Sequence, residues 1–281
     1  YSNLDSKEPV NADTIFEIGS ITKVFTAIIS ILKEQEEKIN LEDPINKYFS
    51  DTIKVPMKTR KIRLIDLMTH TSGLPRIPDN MVDSEYKMSN PYKAYSLKKL
   101  YSFLKSHKLV RNSGEVFEYS NLGYGLLGQI LEIQSGQTYE TLLQEITIPL
   151  HMCDTKITLT DEQKSRFSNC HDEHKNSVDA WDLGALATAG ALRSTMNDML
   201  KFAQANLRED KAEGLSLAIN KSHAKHNYPA IERELSLGWQ VLDINDTQIL
   251  WHNGGTGGSR SFVGLDKKNH KAVVVLSNTS S

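Results

Sequence analysis

Apolar residues recur along this chain with two different periods, a helical one up to about residue 234 and a strand-like one beyond it. The run Ile15-Phe16-Glu17-Ile18 is short and apolar and stops at Gly19. Helical spacing then covers 20–37 and puts Ile28, Ile29, Ile31 and Leu32 on a core side. Pro44, Pro56, Gly73, Pro75 and Pro78 punctuate a loop-rich region around a short helix near Leu64–Met68. Ser96 reads as the N-cap of a helix carrying Leu97, Leu100, Tyr101 and Leu104. Asn121 reads as the cap of another, running through Leu126, Leu127, Ile130 and Leu131 to a stop at Gly136. Thr195 and Asp198 have capping-box spacing ahead of Met199, Leu200 and Phe202. Leu237–Ile244, Gln248–His252, Ser261–Leu265 and Lys271–Ser277 read as strands, with turn signals at Asn245-Asp246 and Lys267-Lys268-Asn269.

Helices followed by a meander of strands predict an α+β fold, an antiparallel sheet flanked by helices beside a mostly helical region, and not alternating βα units. The expected division is a sheet region built from 1–50 and 231–281 and a helical region over 51–230. Together they form one catalytic unit with its site in the cleft between them.

Composition narrows the function classes. The 281 residues carry 33 basic and 35 acidic side chains, a formal net charge of −2, which gives nucleic acid no basic field to bind. The cluster Lys54, Lys58, Arg60, Lys61 and Arg63 reads as a solvated face. No stretch of 18 apolar residues is present to span a bilayer. Cys153 and Cys170 do not make a disulfide framework and read as idle thiols. His171-Asp172-Glu173-His174 lacks the helical i, i+4 histidine spacing of a metalloprotease, so no metal is expected there.

The chemistry concentrates at three places. Ser20 and Lys23 lie three apart at the head of a helix, where they share a face and the amine reaches the hydroxyl. A serine hydroxyl is a weak nucleophile until a neighbouring base or cation activates it, and unpaired N–H groups at a helix start favour a developing oxyanion. About 100 residues on stands Tyr119-Ser120-Asn121, and near the end Trp251-His252-Asn253-Gly254-Gly255-Thr256-Gly257-Gly258. The glycines allow a substrate backbone to approach a strand edge closely.

S-x-x-K, Tyr-x-Asn and His-Asn-Gly in this order resemble the serine β-lactamase and penicillin-binding protein superfamily. The match is to its class C branch, which also holds D,D-peptidases, D-aminopeptidases and esterases. Leu41–Ile45, Leu67–Pro75, Gly123–Gly128, Ala189–Thr195 and Val273–Asn278 look like family segments in family order. The resemblance runs from about Thr14 to Asn278, nearly the whole chain.

It implies a β-lactamase/transpeptidase-like fold and a serine hydrolase working without a cofactor on a β-lactam, a D-alanyl peptide or an ester. Ser20 is the implied nucleophile and Tyr119 the implied base, working as phenolate beside the Lys23 ammonium or passing a proton in concert. The backbone N–H groups of Ser20 and Gly255 are the implied oxyanion donors. Asn121 binds the acyl amide, and His252, Asn253, Gly254, Gly255 and Thr256 line the substrate. The family's class C enzymes have a second lysine where His252 stands. A largely neutral histidine weakens a carboxylate clamp and turns the expectation away from efficient β-lactam hydrolysis. Arg76 reads as a surface arginine, with carboxylate binding in the cleft as the alternative, and His70 as a loop-ordering residue. An extracytoplasmic location follows from the resemblance alone, and so do a carboxylesterase and a penicillin-recognising sensor as alternatives.

Overall fold

Every residue from Thr22 to Lys33 of helix α1 (Thr22–Gln35) is buried. A helix covered on all sides lies inside the molecule, wrapped by other elements. In this computed structural model, which describes residues 1–2, 7–208 and 214–281, those elements are α4 (Asn121–Ser135), α5 (Tyr139–Thr147), α8 (Leu215–Ser222) and the 3₁₀ segment Gly184–Ala189. Lys33 enters this interior because Glu36 and Glu145 meet its ammonium at 2.8 and 2.6 Å. Shorter helices α2 (Leu64–Met68), α3 (Leu97–Ser106), α6 (Asp161–Ser165) and α7 (Met196–Leu207) complete the helical part.

Two small antiparallel pairs join distant segments. Strand β1 (Ile15–Glu17) pairs with β4 (Arg193–Thr195), and β2 (Cys170–His171) with β3 (Ser177–Val178). The main sheet is an antiparallel meander of β5 (Gln240–Ile244), β6 (Thr247–Gly255), β7 (Arg260–Asp266) and β8 (Lys271–Ser277), in that order. Helix α7 packs on β7 and β8, and the turn ahead of α1 packs on β6 and β7. The protein therefore has the expected α+β fold.

Local details depart from the sequence reading for identifiable reasons. Ser120, not Asn121, caps α4: its extended backbone lets Oγ accept the Gly123 N–H at 2.8 Å and donate to the Pro75 carbonyl at 2.7 Å. Asn121 is thereby released from capping. Thr195 caps α7, but Asp198 does not close the box. Its carboxylate instead accepts from the Asp154 N–H and the Lys201 ammonium, at 2.8 and 3.0 Å. Leu200 on that helix faces solvent. The first strand of the meander starts at Gln240 and not at Leu237, because Leu237 and Trp239 turn inward. Trp239 stacks on Phe202 and donates Nε1–H to Ser222 Oγ at 3.3 Å. Strand β6 continues past His252 to Gly255, paired throughout with β7. Both cysteines are free thiols, Cys153 exposed and Cys170 buried.

Helix α4 and the 184–189 segment approach so closely that glycine is required between them. A Cβ on Gly125 would lie 2.3 Å from Leu186 Cδ2, and one on Gly128 would lie 2.2 Å from Thr188 Cγ2. The Thr188 hydroxyl donates to the Tyr124 carbonyl at 2.8 Å, and the Thr188 carbonyl accepts from Thr26 on α1 at 2.7 Å. These contacts fix the position of Ala189, the next residue.

With Ile28 wholly enclosed, Ile28→Ala should cost about 3 kcal/mol of unfolding free energy. Urea denaturation followed by tryptophan fluorescence measures it; a loss below about 1 kcal/mol would mean that α1 is not the packed centre.

Candidate active site

Ser20 occupies a single 3₁₀ turn, Gly19–Ile21, that runs into α1 at Thr22, so the predicted helix starts two residues late. Gly19 makes the turn possible. Its φ of +50° is left-handed, and a Cβ there would stand 2.6 Å from the Gly255 nitrogen. The Thr22 hydroxyl holds the Gly19 carbonyl at 2.7 Å, and Ser261 Oγ holds the Ile18 carbonyl at 2.7 Å. Residues 19 and 255 are thus brought into backbone contact, which puts the Gly-rich end of β6 against the serine turn.

Lys23 lies one turn along α1 and is entirely buried. Its Nζ is 3.0 Å from Ser20 Oγ and donates to the Ala189 carbonyl at 2.6 Å. It stands 4.8 Å from the Tyr119 ring centroid and has no anionic partner among the described residues. Burial, and next the Arg76 charge, hold its pKa well below the ordinary lysine value.

Tyr119 is positioned by His70. That histidine sits in a left-handed backbone conformation, φ 58°, and is buried. Its Nδ1 accepts the Ser120 N–H at 3.0 Å, and its ring stacks on Tyr119 with centroids 4.3 Å apart. Burial keeps the imidazole neutral and leaves Nδ1 as an acceptor. His70 orders the loop, as the sequence suggested. Tyr119 is pushed up to about 12 by burial, against opposing effects from Ser20 and Arg76. Of the two sequence expectations for Tyr119, a phenolate or a phenol passing a proton in concert, burial favours the second, and it lowers the pKa of the neighbouring amine.

The remaining site residues alternate along β6. His252 is 1% exposed, and its Nδ1 lies 2.7 Å from the Asn253 carbonyl, which can only accept. The proton is therefore on Nδ1, and Nε2 points into the protein as a lone pair without a hydrogen-bond partner. Burial and the nearby Lys23 push His252 down to about 3. Asn253 and Gly255 are exposed, while Gly254 is buried against Ile18. Asn121 donates Nδ2–H to Tyr92 Oη at 3.2 Å, and its Oδ1 is buried with no donor.

Thr256 does not line the cleft as expected. It turns inward and donates to Glu17 Oε2 at 2.6 Å. Glu17 Oε1 accepts the Trp181 N–H at 2.7 Å and faces Arg193 at 3.8 Å. Burial raises the Glu17 pKa, only partly offset by these partners. The sequence reading passed over this carboxylate, although a charge inside the apolar run Ile15-Phe16-Glu17-Ile18 was the available signal. Arg76, read as a surface arginine with a place in the cleft as the alternative, is exposed, and its guanidinium carbon lies 5.0 Å from the Tyr119 ring centroid. Among the described residues no group of three His, Cys, Asp or Glu side chains is arranged to hold a metal, and no helix is long and apolar enough to cross a membrane.

A family model described as Beta-lactamase matches residues 1–281. The Protein flp of Staphylococcus aureus is 26% identical over 292 residues, covering 100% of this chain and 56% of that protein. The chain thus spans about half the length of the curated staphylococcal relatives it matches. The structure of a beta-lactamase/D-alanine carboxypeptidase from Yersinia pestis complexed with citrate superposes with a TM-score of 0.87 at 26% identity, covering 99% of this chain and 82% of that one. A class C beta-lactamase shares the fold at 20% identity with a TM-score of 0.85, covering 100% and 81%.

The buried Thr256–Glu17 contact makes a direct prediction. Thr256→Val removes a donor from an enclosed carboxylate and should cost about 1–3 kcal/mol, while Thr256→Ser keeps the hydroxyl and most of the stability. Urea denaturation of the pair measures this, and equal losses in both would discount the hydrogen bond.

Proposed function

The chain belongs to the beta-lactamase family, and from that premise we propose that it is a serine hydrolase forming an acyl-enzyme on Ser20. Its substrates in this reading are D-alanyl peptides or β-lactams, with D,D-peptidase or penicillin-binding character favoured over rapid β-lactam hydrolysis. The observation that carries the reading is the enclosed Lys23 amine, 3.0 Å from Ser20 Oγ and with no counter-ion among the described residues.

Lys23, as the free amine, takes the Ser20 proton while Oγ attacks the substrate carbonyl. Its other hydrogen bond, to the Ala189 carbonyl, keeps the lone pair aimed at the serine. The N–H groups of Ser20 and Gly255 receive the oxyanion, at a strand edge fixed before substrate arrives. Tyr119 serves as the phenol that hands a proton to the leaving group and is recharged through Lys23. Asn121 Oδ1, buried and lacking a donor, takes an N–H of the acyl group. Asn253 and Gly254 carry the strand past the substrate, and water then frees the acyl group. The region formed by 1–50 and 231–281 and the region 51–230 act as one catalytic unit with the cleft between them. Cell-wall peptides as substrates place the activity outside the cytoplasm.

His252 is the reason for doubting rapid β-lactam turnover. The neutral imidazole supplies no cation here, which weakens both the positive field around the Ser20 centre and the clamp for a substrate carboxylate. The same observation supports a second reading, a carboxylesterase on this fold, because short esters need no carboxylate clamp. A non-catalytic penicillin sensor is disfavoured by a Ser20–Lys23 pair set up for proton transfer.

Mass spectrometry after incubation with benzylpenicillin should show a lasting adduct on Ser20 that Ser20→Ala lacks. Rapid turnover would mean a β-lactamase instead. Cleavage of p-nitrophenyl butyrate with no adduct would mean the esterase, and inertness to every acylating agent the sensor. The acylation rate should climb with pH through the depressed Lys23 pKa and then level off, since Tyr119 stays protonated up to about 12. Lys23→Arg, charged at every pH, should lose about 10³-fold; a rate still rising steeply above pH ~10 would assign the base to Tyr119. His252→Lys should raise β-lactam acylation near neutral pH, and an unchanged or lower rate would put the carboxylate clamp elsewhere.

A further inference from the structure

One charge at the rim of the cleft is left without a partner. Arg76 follows Pro75, and its carbonyl accepts the N–H groups of Asn121 and Leu122 at 2.9 and 3.3 Å, which ties it to the start of α4. Its side chain is exposed and lies beside the Tyr119 ring. Among the described residues the guanidinium makes no ion pair and no side-chain hydrogen bond. The acids close to it in sequence are committed elsewhere. Glu118 pairs with Arg111, and Asp83 and Glu85 pair with Lys99 at 2.6 and 2.9 Å. Asp79 acts on Tyr95 and His107.

The two walls of the cleft offer different chemistry. On one side His252 is an uncharged imidazole that offers an anion no cation. On the other, the permanent Arg76 cation lies over the Tyr119 ring and the Arg76 carbonyl accepts the Asn121 N–H, while Asn121 Oδ1 lacks a donor. In the serine-hydrolase reading, a carbonyl held at the Ser20 and Gly255 amides has its acyl substituent on the Asn121 side, where Arg76 also stands. The group complementary to that side is an N–H followed by a carboxylate.

We propose that Arg76 is a specificity-determining residue that seats a carboxylate on the acyl half of the substrate, beside an N–H taken by Asn121. The inference rests on the serine-hydrolase reading above and narrows its substrate class to acyl groups with an acidic side chain. Because a guanidinium keeps its charge at every working pH, the preference is independent of pH, unlike one built on histidine.

Carbenicillin, benzylpenicillin and ampicillin test it, since their acyl side chains carry a carboxylate, a hydrogen and an ammonium on an otherwise shared frame. Mono-p-nitrophenyl adipate against p-nitrophenyl hexanoate makes the same comparison with esters. The readout is the ratio of second-order acylation rates of Ser20, charged compound over neutral, in the parent protein and in Arg76→Gln and Arg76→Lys. The carboxylate-to-neutral ratio should fall about fivefold in Arg76→Gln, the ammonium-to-neutral ratio should rise, and Arg76→Lys should keep most of the parent discrimination. Ratios unchanged by Arg76→Gln, with acylation intact, would overturn the inference alone. No acylation by any of these compounds would overturn the hydrolase reading and the inference with it.

Discussion

The site depends on an amine held in a fully enclosed position with no negative charge to balance it. Burial of Lys23 penalises the ammonium, and no carboxylate among the described residues offsets that penalty. What the protein supplies instead is a neutral acceptor, the Ala189 carbonyl, on one side and the Ser20 hydroxyl on the other. A lysine in water would be a charged bystander. Here the surroundings favour its neutral form and give that form a proton donor.

Much of the packing serves to hold the groups around this amine. Gly125 and Gly128 let the 184–189 segment lie against α4, and that segment presents the Ala189 carbonyl to Lys23. Gly19 lets β6 meet the serine turn at van der Waals distance. His70 spends a left-handed backbone conformation to brace Tyr119 from beneath and to receive the Ser120 N–H. Glu17 ties the end of β6 to the Trp181 segment through Thr256 and the Trp181 N–H. Each contact joins segments far apart in the chain, so the cleft is rigid without disulfide or metal among the described residues.

The distribution of charge gives the cleft its character. On β6 stands an uncharged histidine with an inward lone pair, and over the Tyr119 ring lies a guanidinium with no ion pair among the described residues.

The sequence by itself determined the fold and named the candidate residues of the site. The helical period of 20–37, the capping signal at Ser96, the glycine stop at Gly136 and the alternation after residue 234 are local patterns that survive folding because each element buries one consistent face. The S-x-x-K, Tyr-x-Asn and His-Asn-Gly runs named Ser20, Lys23, Tyr119, Asn121 and His252, and the structure brings Ser20, Lys23, Tyr119 and His252 together. Only the tertiary structure decided the states of these groups. That Ser120 caps α4, that Thr256 turns to Glu17, that Arg76 stands over the cleft and that Tyr119 is a phenol beside a deprotonatable Lys23 all depend on neighbours distant in the chain. Protonation and hydrogen bonding follow from the surrounding dielectric and from which donors and acceptors meet, and neither quantity exists until the chain has closed around them.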